Sequence, residues 1–418
     1  MFGRLIAPLR QVVRRRREGA RRRALDAADA AALAGQAPPQ AGRVLLLRTD
    51  SIGDYLLFRP WLRQLAAAVR GRGQRLTLLA NALWAPLAQA WDADCFDELL
   101  PVETGRFGRD LAYRAEVLAQ VGAVGYGQVI NPLHVREPAV ENFIRFLQAP
   151  VRVASQGAHQ AGAWFEVLNA GYTHLLPSTR AVQFEYVRNG EFFGNWQRMA
   201  PGSAACPLPA TEQVAARQAQ APLQLPAAVA AAGAAEAAAG PYVVLFAGAS
   251  AQQKQWPARA FGQLARALHQ QLGPACRLVL AGSAADAAIA QQVARAAGPA
   301  VPLDNRCGRT DLPALAALLA GARLVVSNDT AAAHFAVQAG TPTLVLLMGE
   351  NYGKFFPYPP ALLQAPCRCL FPPSQEQRFA RGDFSAPARD PDIRQIAVAR
   401  VLAAATGLLG WRGRRGLA

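Results

Sequence analysis

Two series of short apolar runs alternate with helix-patterned segments, and a stretch rich in proline and alanine separates them. The first series places strands over residues 43–48, 76–80, 96–102 and 128–131, with helices over 55–69, 85–91 and 111–121 between them. Pro60 marks a kink or an early first turn in the first helix. The second series has strands at 242–246, 277–281, near 301, at 322–326 and at 343–347. Helices fall over 258–272, 284–297, 311–320 and 393–409. Continuous apolar strands joined through helices cannot pair as hairpins, so each series predicts a parallel sheet with helices on both faces. At 418 residues the chain is too long for one core. The expected organisation is a basic extension and linker over 1–42, one α/β domain over 43–200 and a Pro/Ala-rich linker over 201–240. A second α/β domain follows over 241–390, then a terminal helix and basic tail over 391–418. Two such halves predict a central cleft, with ligands at the carboxyl ends of the strands.

Charge is unevenly distributed. Of the net +16, residues 1–23 contribute nine arginines against the single acid Glu18. Phe2, Leu5, Ile6, Leu9, Val12 and Val13 follow helical spacing, which gives an apolar stripe opposite a basic face. An anionic membrane surface, a solvated tail and nucleic acid all suit such a segment. No RNA-binding motif supports the last, and nucleic acid is not expected as a partner. No run of 18 apolar residues occurs, and the N-terminus lacks the pattern of a signal peptide. Six scattered cysteines suit a reduced cytosol. Cys367 and Cys369, with Cys307, leave a metal site open as a minor reading.

Four loops that follow predicted strands carry the chemistry. In Ser51-Ile52-Gly53-Asp54, Gly53 allows close approach of a ligand, and Asp54 either caps a helix or takes a proton from an incoming hydroxyl. The loop over 247–257 offers a small-residue turn around Gly248 and Ser250, followed by Lys254. Only two of the 44 basic residues are lysines, Lys254 and Lys354, and both fall in loops of the second half. An arginine-rich chain that keeps lysine there has a use for a compact ammonium. The third loop is Ser327-Asn328-Asp329-Thr330-Ala331-Ala332-Ala333-His334. Asp329 or Thr330 caps a helix whose first turn is alanine, a ready anion site, and His334 lies on the same helix face. The plainer reading is a capped helix with a core histidine. The fourth, over 348–358, is either a surface loop or a cover for a base, ribose or sugar. No G-x-x-x-x-G-K-[ST], G-x-G-x-x-G or G-x-S-x-G occurs at the required places, against P-loop ATPases, dinucleotide oxidoreductases and α/β-hydrolases.

Together these loops resemble glycosyltransferase family 9, the heptosyltransferase-like group of GT-B enzymes. Residues 48–54 with Gly53-Asp54 look like that family's first-strand loop. Lys254-Gln255-Trp256-Pro257 is similar to its Lys-x-Trp-Pro loop, and 327–334 through Gly340-Thr341-Pro342 to its Asp-Thr-small-x-x-His signature. The resemblance spans about residues 43–405. It implies a GT-B fold of two Rossmann-like, doubly wound domains facing a central cleft, and a metal-independent, inverting transferase. The donor would be a nucleotide-diphosphate sugar, commonly ADP-heptose. Asp54 would be the base for the acceptor hydroxyl, Lys254 would neutralise the diphosphate, and the amides around Thr330, Ala331 and Ala332 would bind it. Asp329 would contact sugar hydroxyls, His334 would support the site, and Gly53, Gly248, Ser250 and Gly349 would complete the donor contacts. Arg136, in 131–136, either binds a phosphorylated acceptor or pairs with Glu137 or Glu141. No cofactor or metal is implied. The acceptor would be lipopolysaccharide or another envelope glycan, at the inner face of the cytoplasmic membrane. A protein O-heptosyltransferase of the autotransporter type and a non-catalytic nucleotide-sugar-binding module are the alternatives. The first loop departs from the core heptosyltransferases in continuing Asp54-Tyr55-Leu56-Leu57.

Overall fold

A computed structural model of the protein describes residues 2–158, 162–199, 223–384 and 392–411, with side chains from residue 16 onward. The chain divides into two units, Met1–Ala181 with Tyr186–Ala215, and Val182–Glu185 with Ala216–Ala418. The first unit's sheet contains β1 (Gln40–Arg48), β2 (Arg75–Asn81), β3 (Glu98–Val102), β4 (Tyr126–Asn131), β5 (Val151–Ser155) and β6 (His174–Leu176). The second unit's sheet contains β7 (Tyr242–Phe246), β8 (Arg277–Leu280), β9 (Leu303–Asn305), β10 (Leu324–Asn328), β11 (Thr343–Leu346) and β12 (Cys367–Leu370). The first sheet runs β3-β2-β1-β4-β5-β6 and the second β12-β11-β10-β7-β8-β9. Counted within its own unit, each sheet has the Rossmann order 3-2-1-4-5-6. Every pairing is parallel.

This order follows from the apolar runs. Val44 to Leu47 and Tyr242 to Leu245 are fully buried, as central strands covered on both faces must be. In each unit the strand order reverses direction beside the first strand, between β1 and β4 and between β7 and β10. Crossover helices diverge there, and the carboxyl ends of the two central strands are left open to a ligand.

Several sequence expectations change. Residues 24–42 do not form a linker. A single helix, Phe2–Ala32, carries the basic N-terminus into the first unit, where Leu25 and Leu33 are buried. Asp29 is fully buried against the Arg114 guanidinium, with Arg114 Nη2 at 2.8 Å from Oδ2, and Asn142 Nδ2 donates to the same oxygen at 2.9 Å. Alanine-rich composition in this stretch therefore marks a helix packed closely against its domain. The 201–240 linker falls partly outside the described residues. From Leu223 onward the chain is attached to the second unit, whose Ala227–Ala238 helix packs Gly233 against Ala320 and Gly321. At the end of the chain, the Val398–Leu409 helix buries Val401, Ala404, Ala405 and Leu408 in the second core.

β5, β6 and β12 were not expected. All three are short and lie toward the edges of their sheets, and β12 exposes Arg368 between its two cysteines. Short charged edge strands carry little apolar signal. The Ile52–Gly71 helix starts before residue 55 and continues through Pro60.

Candidate active site

In the second unit, the site is built at the switch between β7 and β10. Asn328, the last residue of β10, is fully buried and links the two strand ends. Its Nδ2 donates to the Ala247 carbonyl at 2.8 Å and to Gly248 at 3.3 Å, while its Oδ1 accepts from the Trp256 amide at 3.1 Å. Trp256 is buried and donates Nε1 to the Ile396 carbonyl at 2.9 Å. The loop over 247–256 is thus fastened at both ends, and Lys254 sits on the 3₁₀ turn Gln252–Lys254 inside it. Gly248 packs against Asp286: a Cβ there would lie 2.2 Å from its carboxylate, which would have to shift. Ser250 is exposed in the same loop.

Lys254 Nζ lies 2.7 Å from Glu350 Oε1 and 3.7 Å from Asp329 Oδ2. Burial draws the Lys254 pKa down, but its hydrogen bond to the Glu350 carboxylate and the charges of Asp329 and Glu350 outweigh it, and the pKa is raised overall. Asp329 is pushed above the ordinary carboxylate range, first by burial and then by the like charge of Glu350, with Lys254 and an Asn351 hydrogen bond opposing. Glu350 was missed in the sequence, where the loop was noticed but only Gly349 was chosen from it. Gly349 has φ +96° and Gly353 φ +75°, so the turn that holds Glu350 is bracketed by left-handed residues.

Thr330, not Asp329, caps the Ala331–Gln338 helix, its hydroxyl accepting from the Ala332 amide at 3.3 Å. That frees the Asp329 carboxylate for Lys254. The first-turn amides lie at the positive end of the helix beside this cluster. His334 does not add charge to an anion site. It is buried, its Nδ1 is 2.7 Å from the Tyr358 hydroxyl, and its ring packs on Phe356. Burial lowers its pKa from 6.5 to about 3, so it is neutral and anchors the 355–358 segment. Below pH ~6.5 the unfolded chain takes up a proton that the folded chain refuses, so stability falls as pH drops toward 3. The loss is about 1.4 kcal/mol per pH unit. Replacing His334 by Gln is expected to remove about 2 kcal/mol of the stability lost between pH 7 and pH 5. Native-state hydrogen exchange on the amides of β10 and β11 in both proteins at the two pH values would check this, and parallel pH profiles would refute it.

In the first unit the loop after β1 is held by its carbonyls. Asn81 Nδ2 donates to Thr49 and Asp50 at 3.2 and 3.0 Å, and Trp84 Nε1 donates to Asp50 at 2.9 Å. Buried Arg48 pairs with Asp50 at 2.7 Å and donates to Asn189 at 2.8 Å. Ser51 is the N-cap of the Ile52–Gly71 helix and Asp54 its N3 partner in a capping box. Both the Ser51 hydroxyl (2.5 Å) and amide (3.3 Å) donate to Asp54 Oδ2. Asp54 is partly exposed and Gly53 is buried.

Of the two readings of Arg136, the structure shows the pairing with Glu141. It is buried in an ion pair with Glu141 at 2.9 Å, and its Nη1 donates to Asn169 Oδ1 at 2.7 Å. The three cysteines do not converge either. β12, with Cys367 and Cys369, and β9, which precedes Cys307, are opposite edges of one sheet. Among the described residues no group of three or more His, Cys, Asp or Glu could hold a metal ion.

Two units, each with a six-stranded parallel sheet in Rossmann order, give the two-domain α/β fold of the GT-B type. Residues 206–365 match the model for glycosyltransferase family 9 (heptosyltransferase), so that part of the chain is similar to that family. No curated protein matches the sequence. Solved structures share the fold at low identity. The family 9 glycosyl transferase from Veillonella parvula is 16% identical with a TM-score of 0.61, over 90% of this chain and 99% of its own. The E. coli ADP-heptose lps heptosyltransferase II is 18% identical with a TM-score of 0.55, over 88% and 98%. The E. coli heptosyltransferase WaaC with ADP-2-deoxy-2-fluoro heptose is 18% identical at 0.55, over 86% and 97%.

Proposed function

We propose that the protein is a glycosyltransferase that moves a heptose from ADP-heptose to a lipopolysaccharide or other cell-envelope glycan, with inversion and without a metal ion. The observation that carries the reading is Lys254, held beside Asp329 at the foot of the Thr330-capped helix. When the bond from sugar to phosphate breaks, negative charge builds on the diphosphate. A fixed ammonium and first-turn amides stabilise that charge without needing to reorganise. Asp54, at the corresponding turn of the first unit, takes the proton from the acceptor hydroxyl. Asp329 accepts hydrogen bonds from sugar hydroxyls. Two solved structures of this fold are described as carrying ADP and an ADP-heptose analogue, which supports the choice of donor.

Replacing Lys254 by Ala is expected to weaken ADP binding about 10–150-fold, the size of one lost charge-assisted hydrogen bond. Adenosine binding should barely change. Calorimetry with both ligands tests this, and an equal loss for each would end the phosphate assignment. Donor-matched assays with lipid-linked and protein acceptors would decide the acceptor class.

No described helix is long and apolar enough to cross a membrane. We place the enzyme at the inner face of the cytoplasmic membrane through its basic N-terminus. Deleting residues 1–15 removes Arg4, Arg10, Arg14 and Arg15 with the apolar residues between them. The deletion spares Arg21, which donates to the Gly108 carbonyl at 3.0 Å. The truncated protein is expected to lose binding to phosphatidylserine vesicles and to keep its activity on soluble donor. Undiminished sedimentation with the vesicles would contradict the membrane role.

A further inference from the structure

We propose that Glu350 is a built-in competitor for Lys254, which holds the lysine before the donor arrives and helps to expel the nucleoside diphosphate after transfer. The inference rests on the donor-site reading of Lys254. Its basis is the geometry of one cation between two carboxylates. The shorter contact, 2.7 Å, is to Glu350 and the longer, 3.7 Å, to Asp329. If Lys254 served only to bind phosphate, a second carboxylate at hydrogen-bond distance would weaken the site. It cancels the charge that the phosphate needs and adds a like charge beside it.

The two carboxylates are differently placed. Asp329 follows directly on β10, is 14% exposed, and sits where Asn328 fixes the strand ends. Glu350 is 34% exposed and stands on the turn between Gly349 and Gly353. Tyr352 of that turn packs on Phe379 at 4.2 Å and Phe384 at 5.1 Å, so its backbone is held while the Glu350 side chain reaches out to the lysine. Asp329 is therefore the fixed partner, and Glu350 the one that can be displaced by a side-chain rotation. An incoming diphosphate takes its place on Lys254. A nucleotide sugar gains sugar hydroxyls that can hydrogen-bond to the displaced carboxylate. The free diphosphate left after transfer has lost those hydroxyls and gained a terminal charge. Glu350 then repels it and reclaims Lys254. Glu350 is thus a positioning residue that favours the sugar-bearing donor over the bare product.

The test is ADP binding by calorimetry to the full chain and to Glu350→Gln, Glu350→Ala, Lys254→Ala and the Lys254→Ala/Glu350→Gln double variant, with product inhibition measured alongside. Glu350→Gln and Glu350→Ala are expected to bind ADP about 3–10-fold more tightly and to be more strongly inhibited by it. The gain should vanish when Lys254 is absent, a dependence that a merely structural role would not produce. Unchanged or weaker ADP binding by both Glu350 variants overturns the proposal, as does a gain that persists without Lys254. Failure of the underlying reading looks different: Lys254→Ala alone would leave ADP binding unchanged.

Discussion

Asp54→Asn is expected to cut turnover about 10²–10⁴-fold while ADP affinity stays within about twofold. The structure makes this variant unusually informative, because Asp54 has two jobs that the substitution separates. As the N3 member of the capping box, it accepts from the Ser51 hydroxyl and amide through Oδ2. An asparagine of the same shape keeps a carbonyl oxygen for those donors, so the first turn of the Ile52–Gly71 helix can still form. What it cannot do is take up a proton. If Asp54 were only a cap, Asn would cost a few tenths of a kcal/mol of stability and almost no activity. If it is the base, activity falls by orders of magnitude in a protein that melts almost where the parent does. Steady-state rates, a melting curve and ADP calorimetry on one preparation distinguish the two. Activity within about tenfold of the parent would remove Asp54 as the base. A loss of ADP affinity as large as the loss of rate would show that the variant disturbs the fold instead.

What the sequence revealed, and what it did not, follows from the kind of signal each feature leaves. The central strands β1, β7 and β10 are unbroken apolar runs because both faces of the sheet are covered, and such runs can be read without any structure. Asp329 directly follows β10, while Lys254 and Asp54 lie in the segments that follow β7 and β1, and that placement is what made them candidates in the sequence. Asn328 was not. It stands inside a quoted motif, yet its work is to tie the carbonyls of residues 247 and 248, from a loop some 80 residues away, to its own strand. A polar residue that only joins two loops has no periodicity to reveal it. Glu350 was missed for a similar reason, as a single acid in a loop whose glycines drew attention. His334 and Arg136 each had two readings in the sequence, ligand or internal partner, and the structure shows the internal one. Polar residues near a site invite the ligand reading, but one is buried on Tyr358 and the other on Glu141. Spacing gives the helix face, but not whether that face looks outward or into the core.

The largest expected effect on stability lies far from the chemistry, at Asp29. Replacing it by Ala is expected to destabilise the first unit by about 3–5 kcal/mol. Asp29 and Arg114 are both fully buried, and the guanidinium is completed by the Ala139 carbonyl at 2.6 Å, the Phe107 carbonyl at 3.2 Å and the Phe107 ring below it. Removing the carboxylate leaves a buried cation without its counter-charge and leaves Asn142 Nδ2 with only Asp26 among its acceptors. Most of the predicted loss is that stranded charge, not the worth of the ion pair. The double variant Asp29→Leu/Arg114→Leu should therefore recover much of the loss, since apolar groups of similar volume fill the site without a charge to desolvate. Two units make a single unfolding free energy ill-defined, so the measurement is native-state hydrogen exchange read on β1, β4 and residues 25–33. Uniform loss of protection across these amides would mean that the helical extension and the first sheet unfold together. The N-terminal helix would then be a strut of the first unit, with only its far end available to a membrane. A loss of protection confined to residues 25–33, with β1 and β4 unchanged, would mean instead that the helix is an appendage and that the buried pair only attaches it.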